Sequence, residues 1–531
     1  MKNLTSSFLR TSRNSRFRFI LPSLLQKTPT QAFSTSCSST KTTCSQSASN
    51  SIPIKKTEKG TSDFFVEQIF TGCLAEYSYY MDSEGEAIVI DPIYDHSIYL
   101  ELAAQRGAKI KYVFETHFHA DFVSGHLNLA KKTGAQIVFG PLAKANFPFY
   151  LSKDQETFKF GKAQLQVLHT PGHTFESSSF VLKDSNGIPH SVYTGDTLFL
   201  GEVGRPDLAA NESVHPEDMA KMLYDSIRKK LMLLPDNVLV FPGHGAGSPC
   251  GKSIGIGDFS TIGEQKVSNY AMMKDLKKED FVKIASSNLA RPLGYMGHDV
   301  SLNKGNKKLR EVEEIMRNGK KSYQEFQNML KENKKLVILD TREDISKGLL
   351  KNTMNIGLNT TFSIYVGTMI DNEAPLFVVA ENQAKTEESI IRLLRVGYDK
   401  IVGYLDGGVE TWVKNNGGLY NLKTIEAEKF KEIYEKGSHA VFLDIRNRAE
   451  WEDGILKGAK LLPMRDIEEE LEKGKLNHLK KENIFMYCRT GPRAITTYTL
   501  FDKYGFCNVV NILGGYTKMK ELGFNFVKPT L

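Results

Sequence analysis

The 531-residue sequence contains no uninterrupted apolar run of the roughly 18–20 residues that a membrane span requires. We therefore expect no membrane-embedded segment. Cysteine is also scarce, with six residues in all, two of which (Cys37 and Cys44) lie within the first 57 positions. The remaining thiols are too few and too scattered for a disulfide framework, so each is interpreted as a core residue or as a reactive thiol.

Acidic residues are absent from residues 1–57, which carry nine Lys and Arg residues. Because the whole chain has a formal net charge of +7, residues 58–531 have a net charge of −2 (7 − 9), which argues against nucleic acid as a partner. A segment rich in Arg, Ser and Thr, with Phe and Leu residues for an amphipathic helix, is typical of a mitochondrial leader. We predict that residues 1–57 are a disordered leader that directs the protein to the mitochondrial matrix. The alternative is a disordered tail that carries no targeting information.

Beyond this segment, short apolar strands alternate with helical stretches, as at residues 86–91 and 98–106. Strands mixed with helices predict an α/β layered domain, which we place at residues 58–310.

The rest of the chain contains an internal repeat, because residues 335–342 are echoed by residues 440–446. Each copy spans about 100 residues, which is too long for a solenoid unit. We therefore predict two small α/β domains with mainly parallel sheets, at residues 320–420 and 421–531.

Residues of the metal-ligating types cluster in the first domain, three of them in a loop after an apolar strand and three beside glycine where a short apolar segment ends. They are His117, His119, Asp121, His173, Asp196 and His244. Imidazole and carboxylate together suit zinc, iron, nickel or manganese. The sequence therefore predicts a metal site, although the ligand types alone do not separate iron from zinc.

The order of these motifs, His-x-His-x-Asp, Pro-Gly-His, Gly-Asp-Thr and Gly-His, resembles the metallo-β-lactamase superfamily over residues 64–280. The resemblance implies a four-layer αββα sandwich with the metal at one edge of the sheets. One position departs from the two-metal hydrolases of the superfamily, which have a further His where this chain has Phe122. A phenyl ring binds no metal, so a second metal site and a hydrolase of the glyoxalase II type are disfavoured.

Persulfide dioxygenases of the same superfamily use a single ferrous ion held by two His and one Asp. This resemblance implies one Fe(II) per chain, bound by His117, His173 and Asp196. The other three residues would then orient these ligands and solvent; they are His119, Asp121 and His244.

Two further positions carry expectations from the same resemblance. Arg205 lies in a segment similar to the dioxygenase pattern in which an Arg binds the carboxylate of a glutathione-like substrate. The alternative is a salt bridge within its own loop. Cys250 lies in a Gly-rich loop resembling bacterial fusions of this domain with rhodaneses, where it is a candidate accessory thiol that accepts sulfur. The alternative is an unreactive loop cysteine.

A second constellation surrounds Cys488, which ends a buried strand just before a helix that begins near Pro492. The backbone N–H groups of the loop, the helix N-terminus and the side chains of Arg489 and Arg493 are expected to stabilise a thiolate and hold a persulfide. The loop resembles rhodanese domains, which carry sulfane sulfur as a cysteine persulfide. We expect Arg493 to pair with Asp444 as well.

The earlier copy of the repeat has Ala380 where the nucleophile belongs. We predict a rhodanese-like fold without thiol chemistry.

These features favour a mitochondrial sulfide-oxidation enzyme that uses O2 and Fe(II) to oxidise glutathione persulfide, or a similar small persulfide, to sulfite. Cys488 would transfer sulfur, either delivering persulfide to the iron or combining sulfur with sulfite to form thiosulfate. Two alternatives stay open: a dinuclear zinc thioester hydrolase of the glyoxalase II type, and a non-catalytic sulfur carrier or scaffold. A homo-oligomer is compatible with the sequence, which does not fix the oligomeric state.

Overall fold

The computed structural model describes residues 54–209, 213–415 and 418–529. Most of the predicted leader, residues 1–53, lies outside the described residues. Residues 54–57, which we placed in that leader, instead begin strand β1, whose backbone pairs with β2 from Ile54 opposite Thr71 to Gly60 opposite Phe65. The extended backbone pairing corrects the predicted start of the ordered chain by four positions.

The first domain contains two mixed sheets. Its strands are β1 (Ile54–Gly60), β2 (Phe65–Thr71), β3 (Glu76–Ser83), β4 (Glu86–Ile90), β5 (Lys109–Glu115), β6 (Gln136–Phe139), β7 (Tyr150–Leu151), β8 (Thr157–Phe160), β9 (Ala163–His169), β10 (Ser178–Lys183), β11 (Pro189–Gly195), β12 (Leu239–Pro242) and β13 (Ser260–Thr261). Its helices are α1 (Ser97–Arg106), α2 (His126–Thr133), α3 (Pro216–Lys229), α4 (Ile262–Ser268), α5 (Lys278–Ser286) and α6 (Met296–Asn303), with 3-10 helices at Leu231–Leu233 and Tyr270–Met272. The strand orders are β1-β2-β3-β4-β5-β6-β7 and β13-β12-β11-β10-β9-β8.

The inner faces of these two sheets pack against each other through large apolar side chains. Tyr79, Phe114, Phe180, Tyr193 and Phe241 belong to this buried cluster. Helices cover the outer faces, and α3 and α5 pack together with the outer face of the second sheet. The predicted αββα sandwich is confirmed, and it places the loops at the strand ends along one edge, where the metal-type residues lie.

Helix α7 (Val312–Asn318) connects the sandwich to two small domains of the same topology. The first contains β14 (Lys320–Lys321), α8 (Tyr323–Glu332), β15 (Val337–Asp340), β16 (Leu349–Leu350), β17 (Met354–Asn355), α9 (Phe362–Met369), β18 (Leu376–Val379), α10 (Gln383–Leu394), β19 (Ile401–Leu405), α11 (Gly408–Lys414) and β20 (Leu419–Tyr420). The second contains β21 (Thr424–Ile425), α12 (Ala427–Glu435), β22 (Val441–Asp444), β23 (Ile455–Leu456), β24 (Lys460–Leu461), α13 (Met464–Glu472), β25 (Ile484–Tyr487), α14 (Pro492–Lys503), β26 (Val509–Ile512), α15 (Gly515–Glu521) and β27 (Phe526–Val527), with 3-10 helices at Arg448–Asp453 and Asn477–Leu479.

The two sheets correspond strand for strand, in the orders β14-β19-β18-β15-β17 and β21-β26-β25-β22-β24, and every pair in them is parallel. Each copy also buries an Asp–Arg pair two residues apart at the end of its second strand: Asp340–Arg342 and Asp444–Arg446. The predicted pair of α/β domains is thereby confirmed, whereas the boundaries between domains stay predictions. Within the described residues, no helix has both the length and the apolar character needed to cross a membrane.

The sandwich and the first small domain are in direct contact at helix α9. The amide of Gly294 donates to the carbonyl oxygen of Gly367 at 3.0 Å, and the ring of Tyr295 lies directly against the Cα of Gly367. A Cβ atom at position 367 would overlap that ring, whereas a Cβ at Gly297 would meet no other atom within 4 Å.

We expect Gly367→Ala to lower the free energy of unfolding by about 1–3 kcal/mol, because the new methyl group overpacks a buried contact. Gly297→Ala, the matched control, should be neutral or slightly stabilising, because alanine favours a helix and the site is open. Urea unfolding of both variants measures the difference. Equal stability of the two variants would contradict the close contact between Tyr295 and α9.

Candidate metal centre and thiol site

The loop that carries the first metal-type residues begins where strand β5 ends. The backbone N–H and the hydroxyl of Thr116 both donate to the carboxylate of Asp91, at 2.7 and 2.8 Å. Further along, the side-chain amide of Asn303 donates to the carbonyl oxygens of His119 and Phe122, each at 2.8 Å. The loop is therefore held at both ends by buried hydrogen bonds, which fixes where its side chains lie. Neither Asp91 nor Asn303 was among the predicted site residues. The position of Asp91, directly after the apolar strand β4, was the feature of the sequence that could have indicated it.

Two imidazoles and one carboxylate converge at the edge of the sandwich. The Nε2 atoms of His117 and His173 lie 3.9 and 3.5 Å from Oδ2 of Asp196. All three side chains are buried, and their potential ligand atoms lie within 4.8 Å of one another. Among the described residues, no hydrogen-bond partner is found for His117 Nε2 or Asp196 Oδ2. Buried polar atoms rarely stay unpaired, so this convergence fits a divalent metal ion.

The other nitrogen of each imidazole is held by a hydrogen bond. Nδ1 of His173 lies 2.9 Å from the carbonyl oxygen of Arg205, and Nδ1 of His117 lies 2.9 Å from the hydroxyl of Thr116. Such contacts orient the Nε2 lone pairs. Gly172, directly before His173, has φ of 143°, and a Cβ there would overlap the backbone of Leu223 in α3. Glycine is thus needed for the turn that presents His173.

Charges around the cluster favour the metal-binding protonation states. Burial, followed by the neighbouring His119, holds the pKa of His117 well below its ordinary value, so the neutral ring offers a lone pair. Burial alone would raise the pKa of Asp196, but the charge and hydrogen bond of His244 outweigh it and lower that pKa. His244 bridges two carboxylates: its Nδ1 lies 2.8 Å from Asp196 Oδ1 and its Nε2 lies 2.9 Å from Asp121 Oδ2.

His119 occupies a different position from His117. Its Nε2 atom lies 3.1 Å from Asp91 Oδ1 and 3.6 Å from Glu115 Oε2, so this nitrogen faces buried carboxylates. The ring of Phe122 is fully buried and lies 4.3 Å from the ring of His119. The structure therefore brings all six predicted metal-type residues together, with Phe122 filling the adjoining space; their roles as ligands or orienting groups stay predictions.

Cys250 lies beside the cluster, with its thiol within 4.8 Å of ligand atoms of Asp121 and His244. The side chain is buried, and burial, followed by the nearby charges of Asp121 and Asp196, raises the pKa of this thiol well above its ordinary value. A buried, protonated thiol is a poor nucleophile, and the choice between an accessory thiol and an unreactive loop cysteine stays a prediction.

The guanidinium of Arg205 is buried in its own loop. It donates to both carboxylate oxygens of Asp207 at 2.7 Å, and to the carbonyl oxygens of Pro249 and Ala290. The salt bridge within the loop, the alternative to substrate binding, is therefore present. Binding of a substrate carboxylate by Arg205 stays a prediction, and it requires the guanidinium to leave Asp207.

Cys488 ends strand β25, and α14 begins four residues later. The thiol is 1% exposed, and the backbone N–H of Gly491 donates to its sulfur at 3.1 Å. The amide of Tyr516 donates to the carbonyl oxygen of Cys488 at 2.8 Å, and in the first copy Val409 makes the same hydrogen bond to Ala380 at 3.0 Å. Ala380 thus occupies the position in the fold that corresponds to Cys488.

Acidic groups pair with the two arginines of the loop. Arg493 donates to Glu450, with 2.8 Å between Nη2 and Oε1, and half-exposed Arg489 lies 3.6 Å from Glu450 and 3.5 Å from Asp453. The predicted pair between Arg493 and Asp444 was wrong. Asp444 is already bound by Arg446, 2.7 Å away on the same strand end.

The sandwich and its buried cluster of potential metal ligands define a domain of the metallo-β-lactamase type. The family model of the metallo-beta-lactamase superfamily matches residues 71–244, and that of the rhodanese-like domain matches residues 322–415 and 426–522. A mitochondrial persulfide dioxygenase, ETHE1 of Homo sapiens, is 30% identical over 233 residues, which are 43% of this chain and 83% of the relative. A probable hydroxyacylglutathione hydrolase of Schizosaccharomyces pombe is 30% identical over 181 residues, 33% of this chain and 66% of the relative.

Among solved structures, the crystal structure of a metallo-beta-lactamase from Staphylococcus aureus subsp. aureus COL is 29% identical. It is matched over its whole length, covers 65% of this chain and has a TM-score of 0.57. The chain belongs to the metallo-beta-lactamase superfamily, in a fusion with two rhodanese-like domains that has persulfide dioxygenases among its relatives.

Proposed function

We propose that the chain is an iron-dependent persulfide dioxygenase with a sulfurtransferase domain, acting in the mitochondrial matrix. Its substrate is glutathione persulfide or a similar small persulfide, and its product is sulfite. The observation that carries the proposal is the cluster of His117, His173 and Asp196, which offers three ligand atoms, together with Phe122 packed against the neighbouring His119.

These three residues would hold one Fe(II). Bound Fe(II) with two His and one carboxylate supplies the redox chemistry by which O2 oxidises sulfur. The overall reaction is RSS⁻ + O2 + H2O → RS⁻ + SO3²⁻ + 2H⁺, in which the terminal sulfur is oxidised and O2 is reduced. The carbonyl oxygen of Arg205 and the hydroxyl of Thr116 accept hydrogen bonds from the Nδ1 atoms of His173 and His117 and keep the imidazoles in place, while the buried ring of Phe122 packs against His119. The mitochondrial relative supports the substrate class and the location.

Cys488 would carry sulfane sulfur as a persulfide. A thiolate R–S⁻ attacks the outer sulfur, the bond to Sγ breaks with its electron pair remaining on Cys488, and R–S–S⁻ leaves; sulfite attacking in the same way gives thiosulfate. The Gly491 N–H at 3.1 Å is placed to stabilise the anionic sulfur, whereas the charges of Arg489 and Arg493 are paired with Glu450 and Asp453.

A second candidate function is hydrolysis of a glutathione thioester with two metal ions. It is favoured by the group of Asp121, His244 and Cys250, which offers a second set of ligand atoms next to the first, and by the hydroxyacylglutathione hydrolase relative. Phe122 argues against it, because the hydrolases of the family place a histidine ligand there.

Metal content and O2 uptake of the anaerobically purified protein separate the two functions. We expect about one iron per chain and O2 consumption on addition of glutathione persulfide, with about one sulfite formed per O2, as the balanced reaction requires. Two zinc ions per chain, no O2 uptake and rapid cleavage of S-lactoylglutathione would refute the dioxygenase and establish the hydrolase.

A further inference from the structure

We propose that the rhodanese-like domain without a thiol forms part of the substrate site of the metal centre, with helix α9 as one wall and Ile364 as the residue that limits access. The inference rests on the proposed function and deepens it. The domain that has no catalytic thiol would thereby have a role in binding the substrate.

A cavity of about 100 Å³ lies between α9 and Asp121, which His244 links to the proposed metal ligand Asp196. Its metal side is lined by Asp121 and by residues 246, 247 and 249 of the loop that follows His244. Its opposite side is lined by Thr361 and Ile364 of the rhodanese-like domain. A molecule in this cavity therefore touches both domains at once.

The rhodanese-like domain also holds the loop that forms the rest of the lining. The hydroxyl of Ser363 donates to the carbonyl oxygen of Cys73 at 2.7 Å, and Nη1 of Arg395 lies 3.2 Å from the sulfur of Cys73. Arg395 is fully buried and donates to both carboxylate oxygens of Asp95 at 2.7 Å. Its own carbonyl oxygen accepts from the amide of Val123, the residue after Phe122 in the metal loop. These contacts make the wall a fixed part of the site.

The chemistry of the lining indicates which part of a substrate enters. The lining combines small and polar residues (Gly72, Ala75, Thr361 and Ser363) with the apolar Ile364, and Lys and Arg are absent from the described residues that line it. Such a narrow surface suits the thin –CH2–S–S⁻ end of a persulfide, whose anionic sulfur would be neutralised by bound Fe(II), whereas the carboxylates of glutathione would lie beside Asp121 without a cation to pair with. The volume of the cavity admits several atoms but not a whole tripeptide, so the rest of the glutathione molecule would lie outside the cavity.

The same face of α9 reaches towards the second site. Thr361, Ile364, Tyr365 and Thr368 are the partly exposed positions of this helix and its N-cap, at the spacing of one helical face. Helix α9 also contacts α13 of the second rhodanese-like domain, so the wall of the cavity packs against the domain that carries Cys488.

The test compares Ile364→Trp with Val402→Trp in the full chain loaded with iron. Val402 is a β-branched residue of the same domain, 38% exposed on strand β19 and outside the cavity lining. In Ile364→Trp, the larger side chain should fill the cavity and raise the KM for glutathione persulfide by at least ~10-fold. The Kd for glutathione, measured by calorimetry without oxygen, should rise by the same factor. Iron content and the thiosulfate:cyanide activity of Cys488 should stay unchanged, and Val402→Trp should behave as the wild type.

A KM and a Kd within twofold of the wild-type values for Ile364→Trp would overturn the inference. A second variant guards against misfolding: Ile364→Ala widens the cavity and should raise kcat/KM for a branched alkyl persulfide relative to glutathione persulfide, by ~5-fold or more. An unchanged ratio of the two kcat/KM values would also contradict the inference that α9 forms a wall of the substrate site. If the wild type takes up no O2, the dioxygenase proposal fails, yet the shift in glutathione Kd still decides whether α9 forms the binding site.

Discussion

Replacement of His173 by alanine is expected to remove the metal and to lower persulfide-dependent O2 uptake by more than ~100-fold, because even the outer hydrogen-bond partners of metal ligands are typically worth 10–100-fold. His173 supplies one of three converging ligand atoms, and its orientation is fixed by the carbonyl of Arg205. The remaining His117 and Asp196 leave too few protein ligands to retain Fe(II). Metal analysis by mass spectrometry and an oxygen electrode measure the two losses on the same sample.

The matched control is His190→Ala. His190 lies on strand β11, where its ring packs on Phe64 at 5.1 Å, and it makes no contribution to the buried cluster. It should keep full iron content and O2 uptake. Retention of iron and activity in the His173 variant would show that the metal is bound elsewhere, and the proposed centre would have to be abandoned.

Replacement of Cys488 by serine is expected to lower thiosulfate:cyanide sulfurtransfer by more than ~1000-fold, because a hydroxyl cannot form the persulfide that carries the sulfur. O2 uptake should stay within twofold of the wild type when glutathione persulfide is supplied directly. The two reactions are expected to use separate residues, because Cys488 is not part of the buried metal-type clusters. Its sulfur accepts a hydrogen bond from the Gly491 N–H within its own loop. Parallel cyanolysis and oxygen-electrode assays on one preparation check both expectations.

Cys507→Ser provides the control, because Cys507 is an exposed free thiol in the same domain. Full sulfurtransfer in the Cys488 variant, with its loss in the Cys507 variant, would reassign the reactive thiol. Loss of O2 uptake in the Cys488 variant, with glutathione persulfide supplied directly, would instead show that the thiol takes part in the oxidation itself.

Local sequence was sufficient to predict the elements and the grouping of the metal-type residues. His117, His173 and Asp196 each follow an apolar strand, and the ends of these strands, one from the first sheet and two from the second, meet at one edge of the sandwich. The repeat was visible because a parallel strand ending in Asp-x-Arg recurs in both copies. Both signals depend on residues close together in the chain.

Partners distant in sequence could not be predicted in the same way. Arg493 pairs with Glu450 because the buried Asp444 is already neutralised by Arg446, and this outcome depends on which acid faces α14 after folding. Likewise, nothing near Cys73 indicates that Arg395 lies against its sulfur, because that contact exists only once two domains have packed.

The hydrogen bond between the Val123 amide and the Arg395 carbonyl has a consequence for biosynthesis. A ribosome completes the sandwich, which ends at Asn303, before it reaches Arg395, and at ordinary elongation rates the gap is roughly 5–20 seconds. During that interval the metal loop lacks one of its anchors, and the loop before β3 lacks the guanidinium that later binds Cys73. Ordering of the proposed metal centre is therefore expected to depend on docking of the middle domain, wherever the chain completes its folding.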